Sequence, residues 1–197
     1  MKREKINTMI LLALFIAIEV IFCFTPLGSL PLGPGIVATL SHIPPLVAVF
    51  ILGRRNGVFM GLVFGICSLI VWSTSLLASP SAFAFTPLAP NGNVWSLVIC
   101  LLPRILFPLF AGLIYDLLAN KCNKAVSAGV AGAVGTLLHS LMVLSLLYVC
   151  FRGHETVGDS YLNVLLLWGG VNAVMEILVG AVASAGIVPV LAKIKRG

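Results

Sequence analysis

The chain has 197 residues, 60% of them hydrophobic and 9% charged, with a formal net charge of +6. A soluble domain carries about 25% charged residues, so this composition excludes one. Without a folded polar face, the basic excess reports membrane topology and not nucleic-acid binding.

A spanning helix needs about 20 mostly apolar residues. Six such runs lie along the chain, at 7–24, 36–52, 58–78, 94–118, 125–150 and 161–188. Little remains for anything else, so residues 1–197 read as one all-α integral-membrane domain with six transmembrane helices. The basic residues orient it. Lys2, Arg3 and Lys5 precede the first run, Arg54 and Arg55 separate the second and third, Lys121 and Lys124 the fourth and fifth, and Lys193, Lys195 and Arg196 follow the sixth. Ten of the 12 basic residues thus fall on one side, and the positive-inside rule makes both termini cytoplasmic. The first run has the basic start of a signal peptide, but TPLGSLPLGPG follows it without an A-x-A type site, so it is expected to stay.

In the first run Ala13 and Ala17 lie four apart, a spacing that lets a second helix approach closely. Glu19 points about 220° around the helix from their midpoint. An intramembrane carboxylate faces the protein interior, which turns the alanine pair outward, toward another protein. The stretch 25–35 is too rich in Pro and Gly for a continuous helix. Next come His42-Ile-Pro, an apolar run ending at Gly53, the pair Arg54-Arg55, and a second run carrying Gly57, Gly61, Gly65 and Ser68. The spacing predicts two spanning helices joined by a tight turn between Gly53 and Gly57, the glycine stripe of the second taking a close partner. The connection 78–93 adds Phe83, Phe85, Asn91 and Asn93, aromatics and amides suited to closing a pocket.

Arg104 is the most informative single residue. It lies in LLPRILFPLF, about 15 Å from the outer end of its run at 1.5 Å per residue. Pro103 and Pro108 free the carbonyls of Ile99 and Arg104, so a broken or kinked helix beside a buried cation is expected. The guanidinium either meets a carboxylate or phosphate on a ligand or pairs internally with Glu19 or Glu176. The fifth run opens on a close-packing segment, SAGVAGAVG, and places Thr136, His139 and Ser140 near its centre. The loop after it, with Arg152, His154, Glu155 and Asp159, reads as solvated. In the sixth run Trp168, Asn172 and Glu176 fall on one helical face, a ligand-lining stripe or an interhelical bonding one. The five cysteines (Cys23, Cys67, Cys100, Cys122, Cys150) are scattered and odd in number, so they read as apolar packing residues without a metal or redox role. There is no H-E-x-x-H, no G-x-S-x-G and no phosphate loop; an enzyme is not expected, and any ATP hydrolysis must come from a partner.

His42, Ile43, Pro44, Gly53, Gly57, Gly61, Gly65 and Ser68, with the Ala13/Ala17 pair, resemble the substrate-binding S component of an energy-coupling factor (ECF) vitamin transporter. The resemblance implies a multi-pass cell-membrane protein that binds a small water-soluble vitamin from outside. It implies that the first external loop folds over the substrate, and that Ala13 and Ala17 contact a transmembrane coupling subunit. Two cytoplasmic ATPase subunits would then drive uptake, and no cofactor is involved. The sequence looks closest to the general branch that includes pantothenate and riboflavin binders, and Arg104 favours the anionic one, pantothenate. The candidate substrate-binding residues are Arg104, His42, Asn91, Asn93, His139, Trp168, Asn172, Glu176 and Glu19. The alternative is a stand-alone secondary transporter of a small organic anion. Such carriers often carry inverted repeats, and none is evident between 1–98 and 99–197. A third class, an intramembrane enzyme using His42, His139, Glu19 and Glu176, has nothing in the sequence to bring those residues together.

Overall fold

A computed structural model describes residues 2–33, 36–74 and 81–194. The chain folds as α1 (Lys2–Phe24), β1 (Ser29–Gly33), β2 (Ile36–Thr39), α2 (Ile43–Leu52), α3 (Arg54–Thr74), α4 (Val94–Ala119), α5 (Lys124–Phe151), α6 (Tyr161–Val164) and α7 (Gly170–Ile194). Five of these helices, α1, α3, α4, α5 and α7, are long and apolar enough to cross a membrane. The helical membrane fold is therefore as expected, with two departures.

The first departure is at 36–52. Residues 36–39 leave the expected helix and pair antiparallel with β1, in the register Ser29↔Thr39, Leu30↔Ala38 and Pro31↔Val37. Pro31, Gly33, Pro34 and Gly35 just before it keep a helix from starting there, and the β-branched Ile36 and Val37 suit a strand. What remains, α2, is 10 residues long, about 15 Å, which is half a bilayer core. Every residue from Pro44 to Ile51 is buried. Leu46, Val47, Phe50 and Ile51 meet Phe64, Phe107, Ala111, Ala128 and Val188 from the longer helices, so α2 is the centre of the bundle and not a lipid-facing span.

The second departure is the sixth run. Tyr161–Val164 is followed by a π-helical segment, Leu165–Gly169, and α7 then starts on Gly170 at φ 41°. Trp168 lies in that segment, so it is not in α-helical register with Asn172 and Glu176. The positive φ at Gly170 is open to glycine at no steric cost.

The α2–α3 turn is tighter than expected. Gly53 alone, at φ 88°, separates the helices. Arg54 and Arg55 are exposed in the first turn of α3, and Arg54 reaches Asp116 of α4 at 3.4 Å. Gly57 belongs to the helix and not to the turn. Its stripe works as anticipated, since a Cβ at Gly57, Gly61 or Gly65 would run into Val49, the Arg104 carbonyl or Leu101. Close approach of α3 to α2 and α4 depends on these glycines.

The long helices α4 and α5 begin where their caps dictate. Asn93 accepts from Trp95 N at 2.8 Å while Ser96 Oγ accepts from Asn93 N at 3.1 Å, and Asn123 accepts from Val126 N at 2.8 Å. A second apolar cluster, including Phe83, Ile99, Leu147, Phe151 and Val164, lies beneath the connection 81–93. His154 is not merely solvated. Its ring stacks on Phe83 with centroids 4.1 Å apart and 18° between planes, tying the loop after α5 to the connection before α4.

Candidate substrate-binding site

α4 runs through both prolines without a break. The carbonyl that Pro103 leaves without its helical donor is satisfied by the next residue, whose Nη1 donates to Ile99 O at 2.9 Å. The Arg104 side chain is thus folded back on its own helix, and the expected helix break is unnecessary. The guanidinium carbon lies 5.1 Å from the Phe85 ring centroid and 5.8 Å from that of Phe64, in range for cation–π attraction. Its Nε is buried without a hydrogen-bond partner. Among the described residues neither Glu19 nor Glu176 comes within ion-pairing distance of it; the ion pair formed is Arg54–Asp116, at the surface.

Arg104 faces a cavity of about 560 Å³ between α3, α4, α5 and α7. His139, Asn172 and Glu176 line it too, so four of the anticipated residues converge there. Trp72, Phe85 and Thr39 complete its character. Trp72 and Phe85 stack with centroids 4.8 Å apart, an aromatic wall beside the cation. A smaller chamber of about 220 Å³ shares Arg104, His139, Glu176, Thr39 and Trp72 with the first and extends toward α1 past Cys23, Ser41 and Ser68. His139 is wedged between Phe107 at 5.0 Å and Phe64 at 6.2 Å, with its Nε2 unpartnered. The result is an apolar, aromatic chamber with one fixed cation and a few polar groups, a combination that binds a small polar ligand in a defined orientation.

The other anticipated residues are placed elsewhere. His42 is buried at the start of α2, its ring beside the backbone of Thr39 and Glu176, behind the cavity wall. Glu19 is fully buried; Cys23 Sγ donates to its Oε1 at 3.2 Å and Oε2 has no partner. Asn91 takes φ 65° in an exposed turn, a left-handed position that asparagine tolerates. Asn93 is spent on the cap of α4. Neither amide lines the cavity. The side chain of Trp168 lies outside the described residues. Ala13 and Ala17 are exposed on α1, on the side away from the buried Glu19.

Sequence reasoning missed Trp72 and Thr39. Trp72 sits in an unbroken apolar run where nothing marks it, and Thr39 lay inside an expected helix. Phe85 could be found, since an aromatic in a Pro-rich connection needs a surface to cover.

The family model described as ECF transporter, substrate-specific component, matches residues 7–192. The chain is 30% identical to the pantothenic acid transporter PanT of Lactococcus lactis subsp. cremoris, covering 100% of this chain and 99% of that protein. It is 26% identical to the pantothenate transporter PanT of Leuconostoc mesenteroides subsp. mesenteroides, over 98% and 96% of the two chains. With five spanning-length apolar helices around a cavity, and a family match over nearly its whole length, the chain belongs to the substrate-specific components of ECF transporters, multi-pass membrane proteins of transport and not of catalysis.

Proposed function

We propose that the chain is the high-affinity binding subunit of an ATP-driven ECF importer and that its substrate is pantothenate. The observation that carries this reading is Arg104: a buried guanidinium on the cavity wall with Nε unpartnered and no internal carboxylate within pairing distance among the described residues. Glu176 lines the same cavity and attracts the guanidinium only from beyond pairing distance; a buried cation without a direct counter-ion is unfavourable, and a carboxylate ligand supplies one. Pantothenate also carries an amide, two hydroxyls and a geminal dimethyl group. Asn172, Glu176, His139 and the Trp72–Phe85 wall offer matching partners. The names of the two relatives support the same substrate.

The short α2 and the β1–β2 hairpin together make the sixth crossing in this reading, and both termini are cytoplasmic. The exposed Ala13/Ala17 face meets the coupling subunit, to which two ATPases attach. Thermal unfolding and calorimetric titration of the purified protein test the substrate: pantothenate shifts the midpoint and riboflavin does not. A shift with riboflavin alone overturns the assignment. Uptake by liposomes holding only this chain, driven by a proton or sodium gradient, overturns the ATP-driven reading.

A further inference from the structure

We propose that Pro103 is a positioning residue for ligand selection, acting by reserving the Ile99 carbonyl as a dock for Arg104. The inference rests on Arg104 receiving the ligand's carboxylate, as proposed above. In an uninterrupted α-helix the N–H of residue 103 would bond the carbonyl of residue 99. Proline has no N–H to give, and a buried carbonyl left alone is costly. Arg104 Nη1 fills the vacancy at 2.9 Å. The same exchange that rescues the carbonyl therefore selects the rotamer of the arginine. Phe85 and Phe64 limit the remaining swing of the guanidinium.

The engagement also decides which edge of the fork is offered. With Nη1 on Ile99, the Nε–Nη2 edge is left without a protein partner; its Nε is sealed from the open cavity, so a carboxylate has to seat closely against this edge to use both donors. Two parallel N–H donors on one edge match the two oxygens of a single carboxylate. An alcohol or amide in the same place uses one donor at most and gains no charge. Replacing Pro103 by a residue with an N–H returns a competitor to the Ile99 carbonyl. The guanidinium is then released to other rotamers, and the preference for a carboxylate falls.

The test compares pantothenate with panthenol, in which a primary alcohol replaces the carboxyl group. Both are titrated calorimetrically into purified wild type, Pro103→Ala and Pro108→Ala. Wild type is expected to prefer pantothenate. Pro103→Ala should lose about tenfold in pantothenate affinity, one charged hydrogen bond's worth, with panthenol unchanged. Pro108→Ala restores a helical bond to the Arg104 carbonyl and not to Ile99, and should keep the wild-type preference. In an Arg104→Lys background, Pro103→Ala should add no further loss. Pro103→Leu gives the same readout with the buried volume filled, should alanine leave an unstable void. Equal loss for both ligands, or an unaltered preference in both Pro103 variants, overturns the inference and leaves Arg104 as the carboxylate partner. A wild type that does not distinguish the two ligands overturns the Arg104–carboxylate pairing itself, and the role of Pro103 with it.

Discussion

Arg104 is held by a carbonyl on one edge and by two aromatic rings on the wall of the cavity. Lysine in its place keeps the charge and loses the planar geometry. Arg104→Lys is expected to weaken pantothenate binding by about 1.5–3 kcal/mol, the size of a charged hydrogen bond. The ligand-induced shift in unfolding temperature should shrink while the apo midpoint barely moves. An apo protein strongly destabilised by the change, with binding intact, would mark Arg104 as structural. Glu19 offers the converse case. Its carboxyl is fully buried, has one thiol donor and no cation at hand among the described residues. Glu19→Gln keeps the shape and the acceptor for Cys23 and removes any charge there, so it is expected to hold or raise the apo midpoint, by up to about 1–3 kcal/mol. A lower midpoint would reveal a hidden cationic partner.

At the scale of elements, the α3–α4 contact depends on Gly61, where a Cβ would collide with the Arg104 carbonyl. Gly61→Val should destabilise the fold by about 1–3 kcal/mol through overpacking and weaken binding as well, since α4 carries Arg104. Denaturant or thermal unfolding with parallel titration checks both. This contact was legible in the sequence because a four-residue glycine stripe has few other uses in a spanning helix. The extents of α4 and α5 were legible too, through the bounds of their apolar runs, although the capping roles of Asn93 and Asn123 were not. The short α2 was not. Its apolar run merges with Ile36 and Val37, and hydropathy alone does not distinguish a buried strand from a helix. The break before α7 was hidden for a similar reason: Gly169-Gly170 lies within an apolar run that reads as continuous. At the cavity, the lining residues Arg104, His139, Asn172 and Glu176 stood out in the sequence because polar groups inside a membrane need partners. Asn91 and Asn93 misled because the amide that caps a helix or turns a loop has the same composition signature as one that grips a ligand.

For the whole molecule, the outward Ala13/Ala17 face and the inward cavity are separate surfaces, so binding and transport should be separable. Ala13→Trp and Ala17→Trp are expected to abolish uptake in cells that express the energising subunits while leaving ligand titration of the purified protein unchanged. Parallel loss of both would assign the alanines to internal packing. The stack of His154 on Phe83 acts at this scale as well. Phe83 is two residues from Phe85, which covers Arg104, so two loops distant in sequence are clasped over one chamber. Such a stacked pair contributes about 0.5–1.5 kcal/mol beyond area burial. If the clasp must open before the ligand leaves, His154→Ala shortens the bound lifetime about two- to tenfold by that energy, while the association rate changes little. Stopped-flow dissociation measures it directly. The ring pair would then set how long a captured molecule stays bound, a clock built from two residues that line no part of the chamber.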